Sequence, residues 1–473
     1  MELPITEMEL SACDMDLGYS SDQSLILQDT DTSASDQESP HDDVVIYQLP
    51  YTFAAEEPQI MQSFVNSFLP TDPFERHRQA WLPAAMHLAH QGPDKDAATL
   101  SLRALAMVRE GFRYYDMRMV RAAQESYGMA LKTLQQSLYA PTAAGLDTAI
   151  AACRFLVCYE MFIKNGNATE PDTAWTIHQA GLEQLLNASG QQRMDSELLM
   201  GTADMAMRKA IAKREAPTLK SGKRLKLEDQ VWQLGMRYAS ILHKLDRCIG
   251  STDDAEREQC MVEQVTRLIK LDQQLQSWYL SMTLAKAGAT SARAAGGHTM
   301  YSFPHLVNAQ LVVVHWTLRI LVSRTITQTL TQHPQLAAAS SQPEDFTVLL
   351  AQYNNSQRSE LAISVMRSAW YFANETFHAT GFIRFSFAYH HALDVLLEDR
   401  AAVAANPWLK CLPLGLFSHK GIPIHGLPPP NPPDLRDVCV MTPFVKLYYG
   451  APRHALNWLA FAEASESHLV LGC

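Results

Sequence analysis

Two groups of histidines have spacings that invite metal chemistry. His87 and His90 stand at i and i+3, which sets two imidazoles on one helix face, and His378, His390 and His391 form a second group. No carboxylate or cysteine completes either group at a recognisable ligand spacing, and no His-Glu-x-x-His run occurs, so both read as core or surface histidines. Six cations, Lys213, Arg214, Lys220, Lys223, Arg224 and Lys226, make the one dense basic run. With Pro217 and Gly222 among them they read as an exposed loop, which suits a nuclear import signal or, in the plainer reading, simple solvation. The chain contains no Gly-x-Gly-x-x-Gly, phosphate loop or Gly-x-Ser-x-Gly elbow. No catalytic, cofactor-binding or metal-binding residue is therefore assigned, and an enzyme is not expected.

The eight cysteines, at 13, 153, 158, 248, 260, 411, 439 and 473, are scattered, and no two form a Cys-x-x-Cys pair. They read as reduced, buried thiols. The densest aromatic run is Trp370, Tyr371, Phe372, Phe377, Phe382, Phe385, Phe387 and Tyr389. Such side chains are mostly core, with an apolar pocket between helices as the alternative.

The elements that must carry these residues are helices. In the stretch from Ala123, apolar residues at 123, 127, 130, 131, 134 and 138 recur at spacings of three and four, one face of an α-helix. From Asp147 to Ile163 the pattern is apolar almost all round, which predicts a helix buried among others. Ala174–Leu186 returns to a one-sided pattern. Helical patterns continue near 97–117, 196–211, 231–249, 255–284, 304–330 and 343–400, and strand signals are nearly absent. The predicted fold class is all-α, a multi-helix array of packed helix pairs.

Charge divides the chain unevenly. The formal net charge is −11, yet residues 1–60 hold 14 acidic residues and the first basic residue is Arg76, which leaves +3 for the remainder. A near-neutral body lacks the basic balance of a nucleic-acid surface. Residues 1–57 mix acid with scattered apolar side chains and are expected to form a disordered acidic segment, suited to solubilisation or to transcriptional activation. A helical body is expected over 58–404, a proline-rich linker over 405–436 and closing helices over 437–473. The N-terminus shows no secretory or mitochondrial leader pattern. The two most apolar windows, Ala149–Ile163 and Leu306–Val322, read as core helices rather than membrane spans, and no membrane association is expected.

Three short runs carry a resemblance: Tyr127–Gly128–Met129–Ala130–Leu131, Cys153 to Glu160 (CRFLVCYE), and His178–Gln179–Ala180–Gly181–Leu182. They resemble the fungal-specific transcription factor domain, the helical regulatory region of fungal binuclear zinc-cluster transcription factors. The similarity is clearest from Gln59 to Leu186 and thins toward Arg400. Members with a DNA-binding module carry six closely spaced cysteines that hold zinc and place a helix on DNA. Here only Cys13 precedes Cys153. An incomplete gene model, a DNA-binding partner, or a repressor that competes for dimerisation would each account for that.

The resemblance implies a nuclear transcriptional regulator of a fungal metabolic gene set, secondary metabolism being one such set, acting through protein contacts. Its expected partners are transcription factors or co-regulators, with dimerisation and a small-molecule effector left open. Direct, specific DNA binding is not expected. The alternatives are a helical interaction scaffold outside transcription and an all-α enzyme.

Overall fold

The computed structural model describes residues 53–77, 79–91, 96–139, 143–163, 174–188, 202–217, 226–285, 288–293, 299–336, 348 and 351–411. The expected disordered segment therefore lies outside the described residues, apart from its last five positions. So do most of the expected linker and all of the expected closing helices. From Phe53 onward the described residues form one compact unit.

Its elements are α1 (Phe53–Phe68), α2 (Pro73–His77), α3 (Trp81–Gln91), α4 (Ala97–Tyr114), α5 (Met117–Tyr139), α6 (Ala143–Ile163), α7 (Ala174–Ala188) and α8 (Thr202–Lys213). There follow α9 (Leu227–Ile249), α10 (Asp254–Leu284), a hairpin of β1 (Thr290–Arg293) and β2 (Thr299–Ser302), then α11 (Leu306–Gln332), α12 (Asn355–Arg367), α13 (Ala369–Phe372), α14 (His378–Glu398) and α15 (Arg400–Ala405). Among the described residues the architecture is all-α with one small antiparallel ribbon, in which Thr290 pairs with Ser302 and Arg293 with Thr299.

Local chemistry explains several of these boundaries. Asp96 caps α4 by accepting from the Thr99 amide at 2.6 Å. The same helix stops where Tyr115 turns left-handed (φ 57°) and the Asp116 amide reaches back to the Gly111 carbonyl at 2.8 Å. Asp116 then opens α5 by accepting from the Arg118 and Met119 amides. The first helix begins at Phe53, ahead of the expected start at residue 58, and carries Pro58 inside it. At the other end, Pro407–Cys411 forms a 3₁₀ turn rather than an extended linker. Proline suits the first position of a helical turn, and Leu409 is buried against the body.

The described core falls into two apolar clusters. One draws mainly on α1, α3, α4, α5, α6, α12 and α14; the other draws mainly on α8, α9 and α10, with Trp175 of α7 and Phe387 of α14. α6 lies deep in the first, with Phe155 and Leu156 at 0% exposure and Phe162 at 1%. α11 serves both clusters: Val312, Val313 and Trp316 face one, and Leu311, Val314 and Leu318 face the other. Its 27 residues are long and apolar enough to cross a membrane, but 83% of its most apolar window is buried inside the protein. Being wedged between two bundles accounts for an apolar pattern on every side. The aromatic run is mostly core as well: Phe372 stacks on Phe385 at 4.8 Å, and only Trp370 is substantially exposed.

The cysteines depart from expectation. Cys153 and Cys158 are free and buried, but Cys248 and Cys260 form a disulfide between the end of α9 and the second turn of α10. Scattered positions in the sequence hid this pairing. A helical hairpin with a short turn brings residues 12 apart side by side.

Candidate functional site

The three runs that carried the resemblance meet in space. α5, α6 and α7 pack in sequence order, and Tyr127, Tyr159 and His178 converge where they meet. The Tyr127 ring stacks on Tyr159 at 4.5 Å with an interplanar angle of 19°. Its hydroxyl lies 2.8 Å from His178 Nε2. Burial lowers the His178 pKa to about 4, so the ring is neutral near pH 7 and Nε2 can accept the tyrosine proton. Burial, and then the charge of Glu160, raise the pKa of Tyr127 above its ordinary value. Glu160 is itself buried. Neither Tyr127 nor His178 has a pKa suited to proton transfer near neutrality. The cluster fastens three helices together and is poorly placed for acid–base work.

A second polar centre ties α8 to distant helices. Arg208, 2% exposed, makes a two-pronged pair with Asp204, both bonds at 2.8 Å. Asp204 also accepts from Gln310 Nε2 at 2.9 Å. Arg208 donates onward to Ser386 Oγ at 3.3 Å and to the Ile383 carbonyl at 3.4 Å, and its guanidinium lies over the Phe387 ring. A third centre surrounds buried Glu110, which accepts from Ser63, Ser67 and Arg113. In a fourth, Asp272 receives Arg319 at 2.8 Å and Tyr353 at 3.3 Å. These centres satisfy buried charge with several partners each, as stable burial requires.

The histidine groups fare differently. His87 Nε2 meets Gln91 at 2.8 Å on the exposed face of α3. His390 Nδ1 meets the Ser386 carbonyl at 2.7 Å, and His391 sits edge-on to Phe387 with its pKa lowered to about 3 by burial. Among the described residues no group of three or more His, Cys, Asp and Glu is placed to hold a metal ion. His315, which the sequence reading did not single out, lies flat on Tyr279 at 4.9 Å, and burial lowers its pKa to about 3.

Of the basic run, residues 218–225, and so Lys220, Lys223 and Arg224, lie outside the described residues. Lys213 ends α8, and Lys226 precedes α9 on the surface. Arg214 adopts a left-handed conformation (φ 51°) and pairs with Asp246 at 2.6 Å, while its carbonyl meets His243 Nδ1 at 3.1 Å. The second residue of the run is thus anchored.

An open groove of about 560 Å³ follows the seam between α9 and α10, lined by polar groups that include Gln230, Arg237, Lys270 and Gln274. It is a surface trough rather than the enclosed apolar cavity that small molecules favour.

A comparison with protein families gives the chain its context, since residues 59–217 match the family model described as the fungal specific transcription factor domain. Over this stretch the chain is similar to the fungal specific transcription factor domain. All the residues of the Tyr127–Tyr159–His178 cluster, together with Asp204 and Arg208, fall within it. That family belongs to transcriptional regulation in fungi, is not an enzyme family, and implies a nuclear role for its members. No curated protein and no solved structure matches the chain.

Proposed function

We propose that this chain is a nuclear transcriptional regulator of a fungal metabolic gene set, secondary metabolism being one such set, and that it acts through protein contacts. The observation that carries this reading is the match of residues 59–217 to the fungal specific transcription factor domain. The buried charges of Asp204, Arg208, Glu110 and Asp272 are spent on internal fastening, which favours a binding body over a reaction centre. DNA is reached through a partner, a transcription factor or co-regulator, because the residues after position 60 carry only +3 and counterion release would supply little affinity. The Lys213–Lys226 loop serves nuclear import.

Two experiments test this. Changing Lys223, Arg224 and Lys226 to Ala should shift the tagged full-length protein toward the cytoplasm; unchanged nuclear accumulation removes the import role. Purified chain should show no salt-resistant, sequence-specific binding to duplex DNA, while chromatin occupancy in cells should depend on a second protein. Specific binding by the pure chain would overturn the indirect route, and absence from chromatin altogether would favour the scaffold reading.

A further inference from the structure

The Cys248–Cys260 pair has a role that neither the family match nor the proposed function supplies. Its two sulfurs close the turn end of the α9–α10 hairpin, with Cα atoms 5.8 Å apart, inside the range of roughly 4.4–6.8 Å that disulfides adopt. That end of the hairpin is also held without the bond. Ile241, Leu242 and Leu245 of α9 share an apolar cluster with Met261, Val265 and Leu268 of α10. Asp253 caps α10 by accepting from the Ala255 and Glu256 amides at 2.9 and 3.2 Å, and the Ser251 amide donates to the Cys248 carbonyl at 3.0 Å. Packing and capping therefore keep the two thiols together when the bond is open.

The sulfurs differ in access. Cys248 is 3% exposed, whereas Cys260 is half-buried and reachable from solvent. Two other cysteines contrast with both. Cys153 and Cys158 are buried in α6, and burial pushes each thiol up to about 12, which keeps them protonated and unreactive. In cytosol and nucleus alike, thiol-based reductants keep cysteines reduced, and the disulfides that do form there are mostly catalytic or redox-sensing.

We propose that Cys248 and Cys260 form a reversible, peroxide-responsive thiol–disulfide site that staples the α9–α10 hairpin. The Cys260 thiolate attacks a peroxide oxygen, the O–O bond breaks, and a sulfenic acid forms as the released hydroxide takes a proton to become water. The Cys248 sulfur then attacks the sulfenic sulfur, displacing a second water and forming the S–S bond. Two electrons pass from the thiols to the peroxide. A dithiol reductant returns them by exchange through a mixed disulfide.

The test uses the full-length chain, reduced with dithiothreitol, freed of reductant and titrated with hydrogen peroxide. Remaining thiols are alkylated after denaturation and mapped by peptide mass. Cys248 and Cys260 should lose alkylation together, while Cys153 and Cys158 keep theirs, and dithiothreitol should restore both without denaturant. In Cys260→Ser, Cys248 should stay alkylatable at the same peroxide dose. Hydrogen exchange on the wild-type chain, which needs no variant to fold, should show faster exchange at the turn amides of residues 250–256 after reduction, with the rest of the hairpin protected. The proposal is overturned if Cys153 and Cys158 oxidise first, if the bond resists dithiothreitol in the native chain, or if reduction alone unfolds the hairpin.

Discussion

Glu75 Oε1 accepts the backbone N–H of Leu306 at 2.7 Å, joining residues 231 positions apart. Leu306 is the first residue of α11, and His305 before it provides no side-chain cap. Glu75, 1% exposed, supplies a cap and a negative charge to that helix from elsewhere in the chain. Replacing Glu75 by Ala should destabilise the protein by about 1–2 kcal/mol in urea unfolding, the usual cost of losing a cap. Glu75→Gln, which keeps an acceptor and drops the charge, should cost less than Glu75→Ala; equal losses would show that the hydrogen bond contributes nothing.

Asp204 and Arg208 offer a sharper contrast. Removing Asp204 leaves the buried Arg208 guanidinium without its counter-charge, which typically costs about 3–5 kcal/mol. A paired Asp204→Leu, Arg208→Met change should recover much of that loss, because the penalty lies in the stranded charge. Chemical denaturation of the single and paired variants distinguishes the two outcomes.

Phe155, at 0% exposure against Trp81 (ring centroids 6.2 Å apart), should cost about 3–5 kcal/mol when changed to Ala. A loss under about 1 kcal/mol, typical of surface changes, would place it outside the core.

Acid should weaken the fold in a defined window. Burial lowers His178 to about 4 and His315 and His391 to about 3. In the unfolded chain a histidine takes up its proton near pH 6.5, so as pH falls below that value the unfolded state binds protons that the folded state refuses. Their contribution is fully present above pH ~6.5 and is lost progressively down to the folded values. Urea midpoints should fall across that window, and His391→Gln should flatten the slope if the variant folds. A midpoint independent of pH from 7 to 4.5 would contradict the burial of these rings.

Gly128 and Gly181 sit inside α5 and α7, and a Cβ added to either would meet nothing within 4 Å. Each Gly→Ala change should therefore stabilise the isolated protein by about 0.5–1 kcal/mol, since glycine is the costlier residue in a helix interior. The expected readout is a raised melting temperature. Gly381 is the control: a Cβ there would strike the Phe372 carbonyl, so Gly381→Ala should destabilise.

What could be read from the sequence was whatever repeats along it. α6 and the windows of α9, α10 and α11 were legible because apolar spacing is a local property. The ribbon Thr290–Ser302 was not, because its two four-residue strands are too short to carry an alternating apolar signal. The three motif runs were visible one by one, but the Tyr127 hydroxyl meeting His178 depends on how α5 and α7 flank α6. The i, i+4 spacing of Asp204 and Arg208 was open to view, whereas Gln310 and Ser386 come from helices more than a hundred residues away. The disulfide escaped for the same reason, since it follows from the turn between α9 and α10.

The position of α11 limits how the body can move. Its side chains are divided between the two clusters, so a slide or a twist of this helix would draw apolar groups out of both bundles at once. Neither bundle can swing alone about such an axle. Any change transmitted across this body has to come from its outer helices, with α11 as the stationary member.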